Sequence, residues 1–261
     1  MLLIDTHSHI FSDEFDTDRE AVLMRAAEIG VHYHILPNID SSSTNRLLDT
    51  CNRFPQCFPL IGLHPTSVRN GFEREIYHVE EQLAKTRFWG IGEIGIDLYW
   101  DKTYFIQQQE AFRHQLRLAK KLNLPVVIHS RNSFREIFDI VDQEIDNTLK
   151  GVFHSFTGTI DDYKHIDEYK TFLVGIGGIV TYKNGGVNGL VNQLDPNKIL
   201  LETDSPYLSP VPVRGKRNES YNLIYIADKV AELLGVTVEQ VAKQTTQNAV
   251  KLFKIKIDEI G

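Results

Sequence analysis

The sequence predicts an α/β fold, a closed (β/α)8 TIM barrel with a metal site at the carboxyl ends of its strands. Three observations carry this. Eight short, apolar, β-branched runs alternate with amphipathic stretches from one end of the chain to the other. The chain has 261 residues, a length usual for one such barrel. Ligand-type side chains, finally, stand where successive runs end, and that is where barrels of this kind gather their chemistry.

The elements follow in order. The first strand, residues 2–5, runs into His7 and His9. Side chains two apart on an extended chain project to the same side, so both imidazoles can meet one ion. A helix over 18–29 and a strand over 31–36 come next. The third strand, 58–63, closes in Gly62-Leu63-His64-Pro65, and a helix covers 80–85. The fourth strand, 88–93, lies in Gly90-Ile91-Gly92-Glu93-Ile94-Gly95-Ile96-Asp97. Its glycines allow close backbone approach beside a carboxylate, which makes Glu93 the natural bridging ligand.

A helix over 104–122 shows Phe105, Phe112, Leu116 and Ala119 at three-to-four spacing. The fifth strand, 125–129, delivers His129 and then Arg131. Asn132 and Ser133 are candidate caps for a helix over 134–145. The sixth strand, 151–154, ends in His154, the seventh covers 172–176, and the eighth, 199–202, leads to Asp204. A helix over 221–234 opens behind Asn218 and Ser220. No Pro/Gly/Ser-rich linker divides the chain, so one domain, 1–261, is expected. An open doubly wound sheet would more often carry a nucleotide-binding glycine turn after its first strand; this one carries two histidines.

Composition excludes several classes. With 42% hydrophobic and 24% charged residues, the chain can bury a large core and is not disordered. Cys51 and Cys57 have no second pair to complete a zinc cluster, and they read as small apolar residues of a reduced protein. No run approaches ~18 apolar residues, and Met1 to Ile10 lack the pattern of a signal peptide, so a cytoplasmic protein with no membrane contact is expected. A net charge of −7 disfavours adhesion to nucleic acid over the whole surface, so such a substrate needs a local basic patch.

A strand-end histidine is often only a packing residue. Six ligand-type side chains at the ends of independently assigned strands, His7, His9, Glu93, His129, His154 and Asp204, point jointly to a metal centre. Imidazoles mixed with carboxylates suit zinc first, then manganese, nickel or iron, ahead of magnesium, which prefers oxygen donors. Six donors exceed the needs of one tetrahedral zinc, so two divalent ions sharing a carboxylate are expected.

These motifs resemble the TatD family of metal-dependent deoxyribonucleases, within the amidohydrolase-like hydrolases. The likeness rests on Ile4-Asp5-Thr6-His7-Ser8-His9, Ile61-Gly62-Leu63-His64-Pro65, Gly92-Glu93-Ile94-Gly95-Ile96-Asp97, Val127-Ile128-His129-Ser130-Arg131, Val152-Phe153-His154-Ser155-Phe156-Thr157-Gly158 and Leu201-Glu202-Thr203-Asp204-Ser205-Pro206, in the family's order. It implies that His7, His9 and Asp204 bind one ion, that His129 and His154 bind the other, and that Glu93 bridges them. It also implies hydrolysis of DNA phosphodiesters from a free 3′ end, with a water shared by the ions as nucleophile. Ser155, Thr157 and Ser220 stand where the family often has Cys, Ser and Pro; none is a proposed ligand.

On this reading Asp204 is both ligand and candidate general base, and His64 can hold or protonate a phosphate oxygen. Arg131, just before a helix, can fork onto a phosphate. Arg214, Lys216 and Arg217 form the densest basic stretch, on the metal face, and Lys183 can join them. Tyr182, Tyr207 or Trp100 can offer a ring to an unstacked base. His32, His34, His78, His114 and His165 read as structural or solvated. Two rivals remain: a binuclear hydrolase or deaminase of small molecules, and a noncatalytic metal- or nucleic-acid-binding barrel. Many small-molecule relatives bridge their ions with a carboxylated lysine, whereas this strand end offers Glu93. No obligate protein partner is implied, and a monomer is the default.

Overall fold

Strands and helices alternate along the chain in the computed structural model, which describes residues 1–257. The strands are β1 (Leu3–Asp5), β2 (Val31–Leu36), β3 (Cys57–Pro59), β4 (Ile91–Asp97), β5 (Val126–Arg131), β6 (Gly151–Phe153), β7 (Phe172–Ile176) and β8 (Ile199–Leu201). All neighbours pair in parallel, in two arcs, β1-β2-β3 and β4-β5-β6-β7-β8. Bridges between Ile61 and Ile91 and between Ser8 and Ser205 join the arcs into a barrel. Backbone bonds such as Gly92 N to Ile61 O (2.9 Å) and His9 N to Ser205 O (2.7 Å) seal both seams.

The helices are α1 (Arg19–Glu28), α2 (Ser41–Arg53), α3 (Glu73–Lys85), α4 (Phe105–Leu122), α5 (Phe134–Glu144), α6 (Ile160–Glu168), α7 (Leu223–Leu234) and α8 (Val238–Phe253). The helix expected over 80–85 begins two turns earlier, because Ile76 and Val79 carry its buried face N-terminally. The helices α2, α6 and α8 are additions to the sequence reading. Each opens on a capping box, Asp40 with Ser43, Thr159 with Asp162, and Thr237 with Gln240.

The period-two alternation of the strands sorts their side chains into two layers. Ile4, Ile35, Phe58, Leu60, Val127, Val152 and Leu200 form the inner cluster, with Ala249, Leu252 and Phe253 of α8 packed against it. The alternate residues, among them Leu3, Ile94, Val126, Ile128, Phe153, Val174 and Leu201, pack outward on the helices. Each such side chain fully buried contributes roughly 1.5–3 kcal/mol, so the barrel is a packed core and the chemistry is confined to its rim.

Two strand boundaries differ from expectation. The third strand stops at Pro59, and beyond it the Leu63 N–H goes to the Gln115 side chain (2.8 Å) instead of a ladder. The fourth spans 91–97 where 88–93 is expected. Phe88 packs with Ile61 and Val79 beneath the helices, while pairing with β5 continues through Gly95 opposite His129 to Asp97 opposite Arg131. Glu93 therefore lies inside the strand, and Asp97 holds its carboxyl end.

Candidate metal centre

Strand ends converge on one point. His7 and His9 follow β1, His64 follows β3, Glu93 lies in β4, His129 in β5, His154 follows β6, and Asp204 follows β8. Beneath them Asp5 ties the β1–β8 seam. Its carboxyl accepts from Thr203 Oγ1 (2.6 Å), Thr203 N (3.0 Å) and Ser220 Oγ (2.7 Å). Burial pushes Asp5 up to about 6, against the pull of those bonds. Asp204 takes a left-handed backbone (φ 56) at this seam, and its N–H is anchored on His7 O at 2.9 Å. Backbone strain of this kind concentrates at functional sites.

The two oxygens of Glu93 face different groups of donors. Oε2 lies 3.1 Å from His7 Nε2 and 3.6 Å from His9 Nε2, and Asp204 Oδ1 lies 3.6 and 3.5 Å from the same two nitrogens. Oε1 lies 2.7 Å from His154 Nε2 and 2.8 Å from His129 Nδ1, which are 3.4 Å apart. Donors held tetrahedrally at zinc's usual 2.0–2.1 Å stand roughly 3.4 Å from one another; the first group has about that spacing, and in the second the two imidazole nitrogens have it while Glu93 Oε1 sits at hydrogen-bond distance from both. His7, His9 and Asp204 form a candidate metal-holding group on distance alone. The set is rich in imidazole nitrogen, with the Glu93 carboxyl lying between the two groups.

His64 differs from the other histidines of the cluster. Its Nδ1 accepts from Thr66 N (3.1 Å), so the neutral ring carries its proton on Nε2, 3.2 Å from Glu93 Oε1. Although it groups with Glu93 and His129 by distance, that tautomer makes it a donor. Burial lowers its pKa, which favours the neutral form. Burial likewise lowers His7. Burial opposes the charge on Glu93, but His154, His64 and His7 more than offset it and hold the carboxyl well below its usual range. The same balance, burial overridden by Glu93 and Glu202, lifts His154 well above its usual value.

Two further carboxylates stand behind the histidines of the cluster. Asp97 Oδ2 lies 2.9 Å from His129 Nε2, while its Oδ1 accepts from Tyr99 N (2.9 Å) and Trp100 N (3.1 Å). The arrangement leaves Nδ1 of His129 facing Glu93 Oε1. Gly95 makes this possible: with φ 140, a side chain there would collide with the His129 backbone. Glu202, fully buried, lies 3.6 Å from His154 Nδ1 and accepts from Ser155 N. The signal for both is a carboxylate at a strand end.

The outer residues divide. Arg131 is exposed and lies over Tyr99 (3.9 Å to the ring centroid) and Trp100 (5.2 Å), both largely exposed. Arg214 lies 4.4 Å over Tyr182, Lys183 and Lys216 are exposed, and Tyr207 is 6.2 Å from His9. Arg217 departs from its expected role as a substrate contact. Its guanidinium is bound to Asp18 (2.7 and 2.9 Å), Glu219 (2.9 Å) and Glu14 O, and it packs on Phe15. It clamps the loop to the first βα connection. Ser133 stands at the N-cap of α5 but its side chain does not cap it, and Asn222 rather than Asn218 immediately precedes α7. Ser133 Oγ donates to Ile96 O (2.6 Å), and Asn218 Nδ2 donates to Thr203 O (2.8 Å) and Tyr207 O (2.7 Å). Both cysteines are free, and burial raises their thiol pKa values, Cys51 to about 12.

Comparison with known proteins agrees with the geometry. The family model described as TatD related DNase matches residues 4–254. The uncharacterized metal-dependent hydrolase YabD of Bacillus subtilis is 34% identical over 255 residues, covering 97% of this chain and all of the relative. YcfH of Escherichia coli, also an uncharacterized metal-dependent hydrolase, is 29% identical over 98% of this chain and 97% of its own. The crystal structure of YjjV, a TatD homolog from Escherichia coli, superposes with a TM-score of 0.89 at 27% identity, covering 97% of this chain and 98% of that one. With the barrel, the histidine and carboxylate cluster and these relatives together, the chain belongs to the TatD family and is a metal-dependent hydrolase.

Proposed function

We propose that this protein is a two-metal phosphodiesterase acting on DNA, removing nucleotides from a 3′ end. The observation that carries the reading is the division of Glu93, with Oε2 toward His7, His9 and Asp204 and Oε1 toward His129 and His154. Divalent ions held by these residues, zinc first, would acidify a shared water and offset charge on a phosphoryl group.

The chain's own residues supply the rest. Asp204 Oδ1, between His7 and His9 at the rim, is placed to orient a water and accept its proton. His64 presents Nε2–H toward the same point and can donate to a phosphate oxygen or to the leaving group. Arg131 is free to pair with a phosphate, and Tyr99 and Trp100 beside it offer rings to an unpaired base. Arg214, Lys183 and Lys216 provide the local basic patch that the net charge of −7 makes necessary.

The test is a product ladder from end-labelled single- and double-stranded DNA, run beside RNA, a chromogenic phosphodiester and a panel of simple esters and lactones. Stepwise shortening from the 3′ end is expected. Hydrolysis of the small esters or lactones alone would replace this reading by the small-molecule one, and inactivity of the metal-loaded protein on every substrate would sink both.

A further inference from the structure

We propose that Glu202 is a positioning residue of the metal centre: its carboxyl group sets the tautomer of His154 and, through one bridging water, that of His7, turning both Nε2 atoms toward the cations. The His7 and His154 rings are stacked, 3.9 Å apart and 17° from parallel. Their Nε2 edges both face Glu93, at 3.1 and 2.7 Å. On the opposite edges, His7 Nδ1 and His154 Nδ1 are buried without a hydrogen-bond partner, and so is Glu202 Oε2. His7, His154 and Glu202 form one group with donor atoms within 4.8 Å of one another. The paired imidazoles thus lie between two carboxyl groups, Glu93 before them and Glu202 behind.

The fold makes room for Glu202 in particular. Its Oε1 accepts the N–H of Ser155, which takes a left-handed backbone (φ 45) immediately after His154. Opposite, β7 carries Gly175, and a methyl group at that position would overlap the Glu202 carboxyl. Two unpartnered ring nitrogens and one unpartnered carboxyl oxygen, all buried, are polar groups that a single bridging water would satisfy. The consequence is chemical. A neutral imidazole offers a cation only the nitrogen that carries no proton, and an acceptor on the far nitrogen decides which one that is. Asp97 performs the mirror-image task for His129, holding Nε2 and leaving Nδ1 to the centre.

The proposal rests on the two-ion reading, and the experiment separates them. Zinc content by elemental analysis, zinc affinity by chelator competition and the visible spectrum of the cobalt-substituted protein are measured for the wild type and for Glu202→Gln, which keeps a carbonyl acceptor for Ser155 N. Zinc binding 10–100-fold weaker, with an altered cobalt spectrum, is expected of the variant; Glu202→Asp should recover part of the loss. Affinity and spectrum equal to wild type would overturn the proposal and leave Glu202 as a support for the Ser155 turn. Uptake of one zinc by the wild type would end the two-ion reading, and the same affinity ratio would still judge Glu202. Should the variant not fold, nitrogen NMR of the zinc-loaded wild type decides: protons on Nδ1 of His7 and His154 support the proposal, and protons on Nε2 refute it.

Discussion

Replacing Asp97 by Asn should weaken metal binding while sparing the fold. Asp97 uses one oxygen for the N–H groups of Tyr99 and Trp100 and the other for His129 Nε2. Asn keeps an oxygen for the two backbone donors but turns an NH₂ group toward Nε2. That nitrogen must then accept, its proton moves to Nδ1, and the lone pair aimed beside Glu93 Oε1 is lost. Partners of this kind are worth 10–100-fold in metal affinity, about 1.4–2.7 kcal/mol. Asp97→Ala removes the acceptor from both backbone N–H groups as well, at about 1 kcal/mol each, which lowers Tm by roughly 4–8 °C for a chain of this size. Chelator competition reads the first effect, and thermal melting of the metal-free protein reads the second. Wild-type zinc affinity in Asp97→Asn, or identical melting of the Asn and Ala variants, would refute the reasoning.

Other expectations follow from the same geometry. Glu93→Gln, unable to present two anionic oxygens, should hold fewer ions than wild type by elemental analysis and lose about 100-fold or more in turnover; retention of full metal content and turnover would count against the bridge. Burial lowers His34 from 6.5 to about 3, so below pH 6.5 the unfolded chain takes up a proton that the folded one refuses. Its stabilising effect is complete above 6.5 and is lost as pH falls toward 3, about 2 kcal/mol of it between pH 6.5 and 5. In His34→Gln the fall of Tm over that interval should be shallower, and an unchanged slope would exclude His34 as its source. Arg217→Ala should lower stability by about 1 kcal/mol through its half-buried pairs with Asp18 and Glu219 and leave KM for DNA alone. Arg131→Ala should raise that KM several-fold with no change in melting, and steady-state kinetics beside thermal melts would expose a reversed pattern.

The eight strands and the six side chains that converge at the rim were legible because both are local signals. A short apolar run announces a strand, and a polar residue closing it marks the rim of a barrel. The capping boxes of α2, α6 and α8 were equally local, whereas the apolar stripe that marks α4 is harder to see in helices as short as α6. The fourth strand begins at Ile91 and not at Phe88, which is apolar enough to begin one; only its packing with Ile61 and Val79 removes Phe88 from the sheet.

The sequence by itself determined the barrel, the convergence of His7, His9, Glu93, His129, His154 and Asp204, and the net charge of −7. Which nitrogen each imidazole turns inward was decided only in the tertiary structure, because the groups that choose it come from other strands. Asp97 is 32 residues from His129, and Glu202 is 47 from the Ser155 N–H it accepts. Arg217 lost its expected freedom for the same reason, to Asp18, 199 residues away. A side chain's type is written at its own position, but a hydrogen bond needs two partners in register, and closing the barrel supplies the second.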